Sequence, residues 1–211
     1  MQCQIFKEQE KNKSVELQQN YYSEDKFIPA DKIVCVGKYY PKHGKPFQNM
    51  DEFSNKILDI KKDETSLSNT NEKYYYEESI KYFANKLSSI LSDTSEYVMC
   101  VMPSHRKGTN QSGIRTIVRQ ICLKMNNIID GTDILSRKYT LPKKHLGGER
   151  NQGEEIKSLT VADEGIIIDR QILLVDDVTT TGTSLNAGMF VLKQHGCGLV
   201  ALLALGKTQQ E

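Results

Sequence analysis

The stretch Ile172-Leu173-Leu174-Val175-Asp176-Asp177-Val178-Thr179-Thr180-Thr181-Gly182-Thr183-Ser184 decides the fold. Four consecutive aliphatic residues suit a strand covered on both faces, as in a parallel sheet. Leu185, Met189 and Leu192 then recur at helical spacing, so the stretch reads as strand, short loop and helix start. In open α/β sheets, ligands sit beyond the carboxyl ends of the strands, which puts this loop where binding occurs. Thr180, Thr181, Gly182, Thr183 and Ser184 supply hydroxyls, a glycine for close backbone approach, and the free N–H groups of a helix start. Together they form a nest for a phosphate monoester. Asp176 and Asp177 would repel that phosphate if they faced it. They fit if they accept hydrogen bonds from neutral hydroxyls or reach a magnesium ion. A vicinal diol beside a phosphate is a ribose 5-phosphate. Any one of these residues alone reads equally well as a strand end or a helix cap; the ordered combination does not.

Working outward, Val98-Met99-Cys100-Val101-Met102 is a second doubly covered strand, and Leu199 to Leu205 a third. Ile114, Ile117, Val118, Ile121 and Met125 mark a helix face, with a weak strand expected near Asp133-Ile134-Leu135. Tyr139 to about Gly153 reads as a long loop. Upstream, Ile33 to Val36 is a strand candidate, and Tyr39 to Pro46 a turn-rich loop. Met50, Phe53, Ile57 and Ile60 mark a helix, Lys61 to Asn71 a loop, and Tyr76, Ile80, Phe83, Leu87 and Ile90 an amphipathic helix. Tyr74, Tyr75 and Tyr76 read as part of that helix, partly buried. The alternation predicts an α/β fold, a mainly parallel sheet with helices on both faces. A core over 96–211 is expected, preceded by an N-terminal helical and loop elaboration over 1–95 whose polar start, to about Lys26, is an arm.

Composition narrows the function classes. The chain has 211 residues with 28 Lys+Arg against 27 Asp+Glu, so attraction to an anion must come from local placement of charge. No apolar run approaches the roughly 18 residues of a membrane helix, and the N-terminus lacks the hydrophobic block of a secretion signal. The five cysteines, Cys3, Cys35, Cys100, Cys122 and Cys197, form no CxxC pair, which argues against a zinc ribbon and for reduced thiols. A cytoplasmic location is the expectation. Gly206-Lys207-Thr208 mimics the end of a Walker A loop, and Gly196 to Ala201 a dinucleotide-binding pattern, but neither has the required strand–loop–helix context.

Asp176 to Ser184 resembles the phosphoribosyl-pyrophosphate (PRPP) signature of type I phosphoribosyltransferases, in particular the competence-protein ComF group. Pro103-Ser104-His105-Arg106 with Asn110-Gln111 is similar to that group's segment after the first core strand. Leu146-Gly147-Gly148-Glu149-Arg150-Asn151 is similar to its mobile-loop segment. The resemblance covers roughly residues 97 to 206. It implies that Asp176 and Asp177 hold the ribose hydroxyls, and reach Mg²⁺ through Mg-PRPP. It further implies that Thr180 to Ser184 hold the 5-phosphate, and that the loop of Ser104, His105, Arg106 and Lys107 receives pyrophosphate.

Charge placement agrees: Tyr97 to Ile129 holds Arg106, Lys107, Arg115, Arg119 and Lys124 and no acid. Arg106 and Lys107 fall just past a strand end, whereas Arg115 and Arg119, one turn apart, read as a solvated face. Arg137, Lys138, Lys143 and Lys144 make Ile134 to Gly148 a basic, glycine-containing stretch suited to a lid over an anion. The expected activity is transfer of the phosphoribosyl group from PRPP to a nitrogen acceptor, with Mg²⁺ as cofactor. Asp176, Asp177, Arg106 and Arg150 are the candidate catalytic residues. With little chain after Leu205, the hood over the acceptor is expected from residues before about 95, which lack the cysteine-rich zinc start common in the ComF group. The alternative is a PRPP or ribonucleotide sensor in a homodimer or hetero-assembly. A weaker third reading is a nucleic-acid-binding effector.

Overall fold

The computed structural model describes residues 32–41, 51–62, 64–91, 93–108, 111–142 and 152–209. The polar arm, Asn110, Lys143, Lys144 and the Leu146–Asn151 segment with Arg150 lie outside the described residues.

The elements run β1 (Val34–Tyr39), α1 (Glu52–Ile60), a 3₁₀ turn (Glu64–Ser66), α2 (Thr70–Ser88), β2 (Tyr97–Val101), α3 (Gly113–Lys124), β3 (Ile128–Gly131) and β4 (Leu135–Arg137). They continue with α4 (Gln152–Ser158), β5 (Leu159–Val161), a 3₁₀ turn (Glu164–Ile166), β6 (Ile172–Thr179), α5 (Thr183–Gln194) and β7 (Val200–Thr208). Five strands form one sheet in the order β1-β7-β6-β2-β3, with every neighbouring pair parallel. β4 and β5 form a separate antiparallel ribbon.

Side chains alternate along a strand, so each continuous apolar run serves two cores. Tyr97, Met99, Val101, Leu173, Val175, Ala201 and Leu203 pack with Ile57, Phe83 and Ile117 under α1, α2 and α3. Val98, Cys100, Ile172, Leu174, Val200 and Leu202 pack with Leu185, Leu192, Leu135 and Leu159 under α5 and the ribbon. This is the expected sheet with helices on both faces. The helices begin where the polar caps allow. Asp51 accepts from the Ser54 amide at 2.9 Å to start α1, and Asn69 accepts from the Glu72 amide at 2.8 Å to start α2. Tyr76 is buried within α2 while Tyr74 and Tyr75 are exposed.

Residues before 95 enter the same sheet and core. β1 lies parallel to β7, with Tyr39 opposite Thr208, and α1 and α2 cover one face. Three local expectations change. The weak strand near Asp133 is instead two strands, β3 and β4, around a turn in which the Asp130 carboxylate accepts from the Thr132 amide at 2.9 Å. The long loop from Tyr139 yields to α4 at Gln152, followed at once by β5. β6 extends to Thr179, so Asp176 and Asp177 lie inside the strand, opposite β7 residues Ala204 to Lys207.

Candidate functional site

The pairing of β2 with β6 sets Val101 opposite Val175, and the Met102 amide donates to the Val175 carbonyl at 2.8 Å. The segments that leave these two strands therefore begin side by side at the carboxyl edge of the sheet. One is Ser104 to Lys107; the other is Asp176 to Ser184.

Along β6, the Asp177 amide donates to Asp176 Oδ1 at 2.8 Å, which fixes the Asp176 carboxylate against its own backbone. Asp177 turns to the face covered by α1, where Lys61 Nζ stands 2.9 Å from Asp177 Oδ2. Lys61 caps the carboxyl end of α1, and its ammonium lies over the Tyr39 ring, 5.9 Å from the centroid. Burial pulls the Lys61 pKa down, but the charge and hydrogen bond of Asp177, with Asp176 behind it, outweigh that and hold it above the ordinary lysine value. The ion pair ties the end of α1 to β6 through Lys61 and Asp177.

Beyond Thr179 the chain turns sharply. Thr180 Oγ1 sits 2.9 Å from Thr208 Oγ1, and Lys207 Nζ donates to the Thr180 carbonyl at 3.1 Å. Thr181 and Thr183 hydroxyls lie 2.9 Å apart. Gly182 adopts φ 81°, ψ −2°, a left-handed conformation that costs an L side chain, and caps α5 without a side-chain bond. Its carbonyl accepts from both the Asn186 amide and Asn186 Nδ2, each at 2.9 Å. The amides of the first turn of α5 thus open toward the loop with the positive end of the helix dipole behind them. Ser184 Oγ donates to Glu155 Oε1 at 3.2 Å.

In the neighbouring segment, the Arg106 amide donates to Ser104 Oγ at 3.3 Å and the Lys107 amide to Thr140 Oγ1 at 3.1 Å. The His105 carbonyl accepts from the Leu141 amide at 2.8 Å. Arg106 and Lys107 are exposed at the sheet edge. The structure therefore brings together Ser104 to Lys107, Asp176, Asp177 and Thr180 to Ser184. Arg150 is outside the described residues.

Two readings of the basic residues are corrected. Arg115 is buried, not solvated: its guanidinium donates to the Thr132 carbonyl, to Asp133 Oδ1 at 2.6 Å and to the Leu135 carbonyl at 3.4 Å. Arg119 joins it, bonding Thr132 Oγ1 at 3.2 Å and Asp133 Oδ2 at 2.8 Å. The two arginines clamp the β3–β4 turn because its carbonyls and one carboxylate offer more than water does at a buried helix face. Burial lowers the Arg115 pKa while Asp133 opposes the shift. Arg137 is likewise no part of an exposed lid. Its side chain is 2% exposed and its Nη2 lies 2.7 Å from Oε2 of the fully buried Glu155.

Lys61, Glu155 and Lys207 are the site neighbours that the sequence did not single out for it. Lys61 reads as the first residue of a polar loop, Glu155 falls in a stretch read as leading out of a loop, and Lys207 sits in a rejected Walker-like triplet. Among the described residues, no group of three or more His, Cys, Asp or Glu side chains is placed to hold a metal ion. No helix among them is long and apolar enough to cross a membrane.

A solved structure similar to this chain is the purine phosphoribosyltransferase from Pyrococcus horikoshii Ot3, at 17% identity and TM-score 0.38 over 64% of this chain and 83% of that one. Another is a hypoxanthine phosphoribosyltransferase from Staphylococcus aureus, at 14% identity and TM-score 0.37 over 63% and 71%. No curated protein matches the chain. The model of the phosphoribosyl transferase domain matches residues 81–210, from the middle of α2 to the end of β7 and across both loops of the site. That match takes in more than half of the 211 residues, and the chain belongs to the phosphoribosyl transferase domain family.

Proposed function

We propose that this chain binds PRPP as its magnesium complex at the carboxyl edge of β2 and β6 and transfers the phosphoribosyl group to a nitrogen nucleophile, releasing pyrophosphate. The observation that carries the reading is the run from β6 into α5. Two carboxylates inside the strand lead to a left-handed Gly182 turn that starts α5. ComF-like membership is part of the same proposal and rests on the motif resemblance alone.

Each part of the site meets one part of the substrate. The amides and hydroxyls of Thr180 to Ser184 bind the 5-phosphate at the positive end of α5. Asp176 and Asp177 accept from the ribose hydroxyls, and Lys61 holds the Asp177 carboxylate in place from the end of α1. Ser104, His105, Arg106 and Lys107 receive the pyrophosphate. Their backbone donors and cations favour the charge that gathers on the leaving oxygen as the C1–oxygen bond loosens toward an oxocarbenium-like state. Holding both ends of the substrate fixes C1 before the acceptor, which adds the rate gain of positioning.

The residues fit a magnesium ion that arrives on the diphosphate. Two carboxylates, one already shared with Lys61, fall short of the roughly six oxygens a hard cation takes, so substrate oxygens would complete the set beside Asp176 and Asp177. The ion would then supply charge neutralisation of the pyrophosphate.

Calorimetry tests the reading. Mg²⁺-dependent PRPP binding is expected, and Asp176→Ala combined with Asp177→Ala should abolish it without unfolding the chain. Pyrophosphate release is then measured against free bases, ammonia and small amines. Absence of PRPP, ribose 5-phosphate and nucleotide binding overturns the proposal. Binding with no release for any acceptor replaces turnover with sensing.

A further inference from the structure

The β4–β5 ribbon and α4 carry an ion pair that the site does not use for any substrate contact named above. Arg137, the last residue of β4, and Glu155, in the middle of α4, meet at 2.7 Å with side chains 2% and 0% exposed. Taking two such charges out of water is costly, and a well-packed apolar pair of similar size is often as stable or more so. Folding alone therefore gives no reason for the pair.

Its remaining bonds give one. Arg137 Nε donates to the Ser104 carbonyl at 3.1 Å, at the root of the segment after β2. Arg137 Nη1 donates to Ser158 Oγ, whose hydroxyl donates to the Glu155 carbonyl at 2.7 Å. Glu155 Oε1 accepts from Ser184 Oγ at 3.2 Å, in the first turn of α5. A chain of polar contacts, buried at its Arg137–Glu155 ion pair and part-buried at both ends, thus runs from Ser104 to Ser184. It joins the two loops assigned to the two anionic ends of PRPP.

We propose that the Arg137–Glu155 pair is a positioning element that sets the spacing between the pyrophosphate loop at Ser104 and the phosphate loop at Ser184. The inference rests on the function reading above. A planar guanidinium fork and a carboxylate hold fixed angles as well as distances, which an apolar contact does not. The ligand carries phosphates at both ends of one ribose, so the span between the loops decides whether both are engaged at once.

The test compares the whole ligand with its halves. Arg137→Met with Glu155→Leu removes both charges together, so no lone charge stays buried; the lost donor to the Ser104 carbonyl should lower its urea midpoint without unfolding the chain. Its affinity for Mg-PRPP should fall by at least about tenfold, while ribose 5-phosphate alone and pyrophosphate alone each bind within about threefold of wild type. Bivalent binding is lost when geometry forbids simultaneous engagement, even if each contact survives. Arg137→Lys keeps a cation beside Glu155 but lacks the fork that reaches Ser104, and it should show the same selective loss. It serves where the apolar pair does not fold. Wild-type PRPP affinity in either folded variant overturns the inference. So does a PRPP loss fully accounted for by the losses of the two halves. A wild-type chain that binds none of the three ligands strikes the function reading itself and removes this inference with it.

Discussion

Replacing Gly113 by alanine sets a general rule against a specific contact. Alanine in place of glycine near a helix start ordinarily stabilises by about 0.5–1 kcal/mol. At Gly113, the first residue of α3, a Cβ would stand 2.5 Å from the Ile60 carbonyl oxygen, 2.6 Å from Ile60 Cβ and 2.9 Å from Ile60 Cα. These atoms are backbone or the root of a side chain, so no rotamer change relieves them. The ends of α1 and α3 must part by roughly 1 Å to regain normal contact distances. Ile60 is 2% exposed within the core beneath α1, α2 and α3, so the movement unpacks it. Overpacking of this kind costs about 1–3 kcal/mol. After the propensity gain, a net loss of about 1–2 kcal/mol is expected, a fall of roughly 2–8 °C in Tm for a chain of this size. Thermal and urea denaturation of the purified variant measure it. A variant as stable as the wild type, or more stable, refutes the contact argument.

At the phosphate loop, Gly182→Ala places a side chain at φ 81° with the carbonyl pinned twice by Asn186. The expected cost is about 1–2 kcal/mol, and Gly182→Asn should lose less because asparagine visits that region more readily. Urea midpoints that do not fall in the order wild type, Asn, Ala would show the turn to be unconstrained. Arg115→Met leaves the Thr132 and Leu135 carbonyls without their guanidinium donor. About 1–3 kcal/mol should be lost, since buried acceptors stay unmet, and a loss under about 0.5 kcal/mol in the same urea assay contradicts the clamp. For Lys61 the sign of the pH dependence is fixed by its raised pKa. The contribution of the pair is fully present below the unfolded lysine value of about 10.4 and fades as pH rises through the folded value. With side chains 35% and 27% exposed, solvent screening holds it to about 0–1 kcal/mol. The stability gap between wild type and Lys61→Met should therefore be constant from pH 6 to 9 and close above pH 10.5. A gap that closes below pH 9 would point to a different titrating group.

How much of this could be read beforehand depends on how far apart the interacting residues are in the chain. The acid pair, the Thr/Gly turn and the start of α5 occupy nine consecutive residues. Their order alone carries the proposed phosphate site, and the doubly apolar strands on either side carry the layer architecture. The short elements were hidden for a related reason. α4 spans seven residues and buries Glu155 and Ser158 rather than an apolar stripe, and β5 has only three residues. Neither offers the periodicity from which helices and strands are recognised. A polar residue in a helix of this kind is legible only once its partner is known, and the partner of Glu155 lies on another strand.

The same reasoning explains why the basic residues were misplaced. The sequence places Arg106 and Lys107 just past a strand end, Arg115 and Arg119 on a solvated face and Arg137 in a lid-like stretch, but the fold divides them by what each side chain can reach. Arg115 finds Thr132, Asp133 and Leu135 across α3 and the β3–β4 turn, Arg137 finds Glu155, and Arg106 and Lys107 stay exposed past the end of β2. Lys61, from a segment with no basic run at all, reaches Asp177. On the proposed function, a chain of net charge +1 can therefore still set cations beside a pyrophosphate. Its acids neutralise the structural arginines in the interior and on the turn, while the arginine and lysine at the end of β2 stay at the edge.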